Sequence, residues 1–326
     1  MKHRRMVFML PLAALAWSGW AQAEFPDRPI TWVVPFAAGG PMDIVSRPVA
    51  KKMGEILRTT IVVENRPGAG GAMGMDFVAR AKPDGYTIGI GSVGTQTIVP
   101  NVNRSIRYDP LQSFSNIGLF GRYTNVLLVN LKSPITDVAS LVALSKRAEA
   151  NVTFGSAGSG SSNHLSGELL RALTGGKMTH VPYRGSAPAL TDLLAGNTSF
   201  MFDTFNTTMA RIEGGSLRAL AVTSPARSPF LPNVPTMDEA GVKGYADAGG
   251  ELWWGVVGPA KIPPATVKKL NTALREALAT EDVQAQLKNQ YVEIWESTPE
   301  EFAQVVQTSY RKWNQLVREA HIETTE

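Results

Sequence analysis

The chain has 326 residues, 44% of them apolar, with 30 Gly, 21 Pro and no Cys, so disulfides, thiolate metal centres and a thioether-linked lipid anchor are excluded. Its 32 Lys and Arg against 28 Asp and Glu fall to 29 against 28 once residues 1–23 are set aside, and a net charge of +1 is no footprint for nucleic acid or anionic lipid.

Those first 23 residues read as an export signal. Lys2, His3, Arg4 and Arg5 form a basic start, Met6 to Trp20 an apolar run too short for a comfortable membrane span, and Ala21-Gln-Ala23 a small-residue cleavage site. The expected mature protein begins after Ala23 and lies outside the cytoplasm. About 300 remaining residues fit two domains of ordinary size.

From there short apolar runs alternate with helical patterns, which predicts an α/β architecture with mostly parallel sheets. Ile30 to Val34 reads as a strand, Asp43 to Leu57 as a helix that Pro48 kinks or shortens, Ile61 to Val63 as a strand, Gly74 to Ala81 as a helix and Tyr86 to Gly91 as a strand. Ile117 to Phe120 and Val126 to Val129 are two further strands. Ser133-Pro134 predicts the start of a helix carrying Val138, Leu141, Val142 and Leu144. The rhythm then repeats through Leu165 to Leu173 (helix), Met178 to Val181 (strand), Ala187 to Leu194 (helix), Phe200 to Phe202 and Leu217 to Val222 (strands). Trp253 to Val257 is a strand again, Pro263-Pro264 open a helix with Val267, Leu270, Leu274 and Leu278, and Thr298-Pro-Glu-Glu301 is a capping box before a last helix. The absence of a long linker predicts interleaved domains: 24–122 with 248–326, and 123–247, joined by hinge strands near 117–130 and 245–258.

Two glycine-rich loops stand between a strand-like run and a helix-like run: Phe36-Ala-Ala-Gly-Gly-Pro-Met-Asp43 and Gly155-Ser-Ala-Gly-Ser-Gly-Ser-Ser-Asn-His164. Each should end at a helix N-terminus, where free N–H groups and the helix dipole favour an anion. Two such mouths, one in each half, point to a carboxylate gripped from both sides, and small residues let backbone donors approach it closely. Asp43 is open to two roles, helix cap or ligand contact. Arg184 is open to pairing with a distal carboxylate or with Asp203. Trp253 and Trp254 suit hinge or core, with one of them free to line the cleft and tilt the ligand toward an aromatic acid. Gly68-Ala-Gly-Gly-Ala-Met-Gly74 lacks the spacing of a nucleotide loop. No serine sits in a nucleophile elbow and no His or carboxylate cluster suggests a metal, so neither an enzyme nor a cofactor is expected.

Pro26-Asp-Arg-Pro-Ile30, the two loops, Val62-Val-Glu-Asn-Arg-Pro-Gly-Ala-Gly-Gly71, Pro83-Asp-Gly-Tyr-Thr87, Val181-Pro-Tyr-Arg-Gly-Ser186, Phe202-Asp203, Ala219-Leu-Ala-Val-Thr-Ser224, Arg227-Ser228, Pro235-Thr236 and Thr298-Pro-Glu-Glu-Phe302 occur in one order along nearly the whole chain. Together they resemble the substrate receptors of tripartite tricarboxylate transporters, the Bug-type periplasmic binding proteins. The resemblance implies a two-domain, type II-like Venus flytrap that binds a small carboxylate and is partnered by one large and one small integral membrane protein; a monomer is the default for a receptor that must dock to them, though the sequence does not encode the oligomeric state. It puts Phe36, Ala37, Ala38, Gly39, Gly40 and Asp43 on one lip, and Gly155, Ser156, Ala157, Gly158, Ser161, Ser162 and His164 on the other. Ser92, Gly94 and Thr95 would follow a third strand, and Tyr183, Arg184, Asp203 and Thr204 would make distal contacts. Met42 and Glu251-Leu-Trp-Trp254 depart from the family's commoner residues, which leaves the ligand open among di- and tricarboxylates, acidic amino acids and nicotinate-like or phthalate-like acids. Delivery to a membrane sensor kinase, and an exported hydrolase, are the alternatives.

Overall fold

A computed structural model describes residues 24–147, 149–249 and 252–319; the expected export signal, residues 1–23, lies outside them. The first sheet holds β1 (Ile30–Val34), β2 (Ile61–Asn65), β3 (Thr87–Ser92), β4 (Phe114–Tyr123) and, from the far end of the chain, β10 (Leu252–Pro259), in the order β2-β1-β3-β10-β4. The second holds β5 (Asn125–Asn130), β6 (Thr153–Ser156), β7 (Thr179–Pro182), β8 (Phe200–Thr204) and β9 (Leu217–Val222), in the order β7-β6-β8-β5-β9.

The expectation of mostly parallel sheets needs refinement. In each sheet four strands run one way and one runs against them: β10 is antiparallel to β3 and β4, and β5 is antiparallel to β8 and β9. The reversed strands are the ones that follow a strand of the other sheet: β5 comes after β4, and β10 after β9. A chain leaving β4 at Tyr123 enters β5 after one residue, from the side where the forward strands end, so it must run backwards. Both sheets therefore turn the C-terminal ends of their forward strands toward a shared crevice, where ligands of open α/β sheets bind.

The helices pack around these sheets. They are α1 (Pro41–Leu57), α2 (Ala72–Ala79), α3 (Val99–Val102), α4 (Val138–Ser145), α5 (Ser162–Thr174), α6 (Ser186–Ala195), α7 (Phe205–Glu213), α8 (Tyr245–Gly249), α9 (Pro264–Leu278), α10 (Glu281–Asn289) and α11 (Pro299–Glu319). Around the first sheet lies one core with Trp32, Met53, Phe120, Trp253, Trp254 and Phe302 fully buried; the second sheet carries a separate core on each face. Side chains cross between the lobes: Leu165 of α5 packs into the first core, Leu316 of α11 touches both lobes, and Tyr291, after α10, packs against Phe205 and Phe230 of the second.

Three local expectations fare differently. Helix α1 runs unbroken through Pro48, because Val45, Val49 and Met53 anchor its inner face in the core despite the missing N–H. Helix α4 does not begin at Ser133-Pro134. Its cap is Asp137, in a reciprocal box with Ser140, and Ser133 instead closes a preceding turn by accepting from the Ile135 N–H. The final box is present, with Thr298 and Glu301 bonding each other's backbone N–H.

Candidate functional site

Loop 35–40 leaves β1 and enters α1. Gly40 is the N-cap without a side-chain cap, and Gly39 takes φ +76°, a left-handed turn that brings its N–H onto Asp43 Oδ2 at 2.9 Å. Arg47 grips the same carboxylate through Nη2 at 2.7 Å and Nε at 3.1 Å. Burial acts to raise the Asp43 carboxyl, but these donors outweigh it and hold the pKa below the usual range. Asn65 Nδ2 donates to the Phe36 carbonyl and ties the loop to β2.

The facing loop leaves β6 and enters α5. Gly158 and Gly160 adopt φ +121° and +83°, and Ser161 donates to the Gly158 carbonyl at 2.7 Å while accepting from the His164 N–H. This loop touches the first lobe. A methyl on Gly70 would collide with the Ser159 carbonyl, one on Gly160 would collide with Val99, and one on Gly94 would meet the Gly160 carbonyl at 3.3 Å. Tyr123 of β4 bonds Ser162 across the same gap, and burial pushes its phenol pKa up. The lips are in contact.

Between them lies a cavity of about 80 Å³ lined by 36–38, 40–42, 92, 94, 123, 157, 161–163, 185–188, 203, 204 and 254. That is well below the roughly 300–1,000 Å³ of pockets that take drug-sized ligands. A larger groove of about 930 Å³ lies behind the β4–β5 connection, between loop 224–230 and α11, and shares with it only Tyr123.

Four helices aim their N-terminal ends at the small cavity. Gly40, Pro41 and Met42 open α1; Ser161, Ser162 and Asn163 open α5; Gly185, Ser186, Ala187 and Pro188 open α6; Thr204 caps α7. First-turn N–H groups have no acceptor within their own helix, and the dipoles add partial positive charge. Among the described lining residues there is no Lys, Arg or His.

The acidic residue in this wall is Asp203. It is fully buried, and Oδ1 accepts from Asn163 Nδ2 (2.9 Å), Ser186 Oγ (3.1 Å) and the Thr204 N–H (2.9 Å), while Oδ2 accepts from Thr207 Oγ1 (2.9 Å). Burial pushes its pKa up and these donors oppose the rise. Asp203 is thus a fastener joining the starts of α5, α6 and α7.

Of the expected site residues, Phe36, Ala37, Ala38, Gly40, Ser92, Gly94, Ala157, Ser161, Ser162, Asp203 and Thr204 line the cavity. Gly39, Asp43, Thr95, Gly155, Ser156, Gly158, His164, Tyr183 and Arg184 do not. Asp43 is occupied by Gly39 and Arg47. Thr95 is buried in mutual bonds with Ser92. Tyr183 donates to Asp192, and Arg184 is exposed and makes no pair with Asp203. Trp254 lines the cavity, stacked on Tyr123 at 4.2 Å, while Trp253 faces the opposite side of β10 and donates to Ser309, as strand alternation requires. Tyr123, Asn163 and the 185–188 turn are additions; Gly185-Ser186 before an apolar helix with an early Pro188 was the available signal for the turn.

Behind the second lip, His164 and His180 stack with ring centroids 3.9 Å apart. Burial, chiefly, pulls His164 down to about 3 and His180 down to about 4, and for His164 the neighbouring ring and Arg171 add to the effect. The unfolded chain takes up these protons near pH 6.5, before the folded one does, so stability rises with pH and is lost as pH falls from about 6.5 toward 4. The loss is expected to be on the order of 2 kcal/mol per histidine by pH 5, about 4 kcal/mol for the pair. Calorimetric melting from pH 7.5 to 4.5 checks it, and His180→Gln should flatten part of the fall.

The sequence matches the family model described as the tripartite tricarboxylate transporter family receptor over residues 45–322. The fold superposes on the periplasmic binding protein BugD with TM-score 0.86 at 36% identity, covering 92% of this chain and 100% of that one. MatC from Rhodopseudomonas palustris, solved with bound malate, gives TM-score 0.85 at 32% identity, covering 90% and 100%. A second R. palustris protein, solved with adipate, gives 0.87 at 33% identity, covering 93% and 100%.

Proposed function

Because this chain belongs to the receptor family of tripartite tricarboxylate transporters, we propose that it captures a small carboxylate between its lobes in the periplasm and delivers it to the transporter's large and small integral membrane subunits. The two lobes of the trap would be residues 24–122 with 248–326 and residues 123–247, and the mature chain would begin after Ala23. The observation that carries the reading is the convergence of four helix N-termini on a cavity whose described lining has no basic side chain. Such a site offers main-chain N–H and hydroxyl donors to an anion, and each charge-assisted bond contributes roughly 1.5–3 kcal/mol. A handful reaches micromolar affinity, about 8 kcal/mol. The walls beyond the donors are Phe36, Pro41, Met42, Pro188 and Trp254, which suit a compact hydrocarbon body. Malate and adipate, held by the two related proteins, are the first candidates, with aromatic acids beside them.

The test is a thermal-shift screen against di-, tri- and aromatic carboxylates. An acid at a hundred times its dissociation constant stabilises the protein by about 2.7 kcal/mol, a rise of roughly 5 °C or more. No shift with any acid, together with turnover of an ester panel, would replace this reading with that of an exported hydrolase.

A further inference from the structure

The stacked histidines lie outside the cavity, yet both are wired to the loop that closes it. Gly160 N–H donates to His164 Nδ1 at 3.1 Å. Gly158 N–H donates to Ser156 Oγ at 3.1 Å, and that hydroxyl is 2.6 Å from His180 Nε2. The two rings stack on each other, and the Phe154 ring lies against both. These bonds turn the N–H groups of two positive-φ glycines of the second lip, Gly158 and Gly160, away from the cavity, and the donors that remain, at Ala157 and the first turn of α5, are left to face it.

We propose that His164 and His180, as a neutral pair, are positioning residues for ligand capture: they hold the 157–162 loop in its gripping shape from behind, without touching the ligand. The inference rests on the second lip being part of the grip. Acceptance from a backbone N–H requires Nδ1 of His164 to be bare, so the ring's proton sits on Nε2, facing Glu168 Oε1 at 3.7 Å. Protonation would place two N–H groups head to head at Gly160 and break that bond. The groups facing the pair are the Glu168 carboxylate of α5, itself held by Arg171, together with Ser156 and Phe154 of β6. Burial keeps both rings neutral at ordinary pH.

Isosteric variants separate positioning from packing. Asn at 164 keeps an acceptor where Nδ1 lies and Gln at 180 keeps one near Nε2; Leu at either position keeps bulk and loses the acceptor. In the unliganded protein, amide exchange at Gly158 and Gly160, read by NMR, should accelerate at least tenfold in His164→Leu and His180→Leu and stay near the wild-type rate in His164→Asn and His180→Gln. Malate affinity by calorimetry should fall at least tenfold in the Leu variants and recover to within about threefold in the isosteres. Wild-type affinity should also weaken toward pH 4, and the Asn/Gln double variant should retain it. Unchanged exchange at both glycines in folded Leu variants overturns the positioning role and leaves the carboxylate reading standing. Faster exchange with unchanged malate affinity overturns both this role and the second lip as a grip.

Discussion

Gly70→Ala is expected to hold the lobes apart and to weaken carboxylate binding by at least about a hundredfold while the protein stays folded. Gly70 lies on the first lobe at φ +63°, and the added methyl would run into the Ser159 carbonyl of the second. Closure would stop short, and donors at Ala157 and the start of α5 would no longer reach an acid seated on the α1 lip. Losing even two charge-assisted bonds of roughly 1.5–3 kcal/mol each accounts for that factor, at 1.4 kcal/mol per tenfold. The control is Gly196→Ala, whose φ of +80° imposes the same backbone strain in open space; it should lower the melting temperature slightly and leave affinity intact. Calorimetric titration and small-angle scattering together check the pair. Wild-type affinity in a folded Gly70→Ala protein would mean that contact between the lips is not needed for capture.

Asp203→Ala should give the largest loss of stability among single changes around the cavity, about 3 kcal/mol or more. It removes the shared acceptor of four donors: the buried Ser186 hydroxyl and Thr204 N–H lose the carboxylate outright, while Asn163 and the half-buried Thr207 keep second acceptors at the Phe202 and Thr204 carbonyls. Three helix starts would then lose their common fastener, so binding should fall with stability. Asp203→Asn preserves size and one acceptor and should retain roughly half of the lost stability. Urea unfolding at pH 7 measures both, and equal stability of all three proteins would remove Asp203 from this role.

Strand and helix rhythm revealed the α/β class because β1 and β10 are apolar runs with glycine or proline at their ends, and Val152 to Phe154 and Phe200 to Phe202 are short apolar runs between helical patterns. The two glycine loops were legible for a similar reason: small residues between a strand and a helix have few other uses. Helix α7 was not legible, since Asn206, Thr207 and Thr208 have low helix propensity and the helix is stabilised by packing Phe205 and Met209 into the second lobe. With α7 unseen, Thr204 could not be recognised as its cap. Asp43 and Arg184 could not be assigned either. Whether a carboxylate or guanidinium faces a ligand depends on which partner reaches it first, and Arg47, one helical turn from Asp43, settles that locally. The direction of β5 and β10 followed from the crossings, which no spacing encodes.

The cavity divides its labour between two kinds of atom. On the proposed reading, attraction for negative charge would come from main-chain groups at the mouths of α1, α5, α6 and α7, which every residue except proline supplies whatever its side chain. Discrimination would then fall to the cavity-facing groups of Phe36, Met42, Pro188 and Trp254, none of which has to carry charge. A new diet can therefore be acquired by repainting the walls while the anchor stays in place, and a receptor built in this way can diversify quickly across organic acids without ever risking its hold on them.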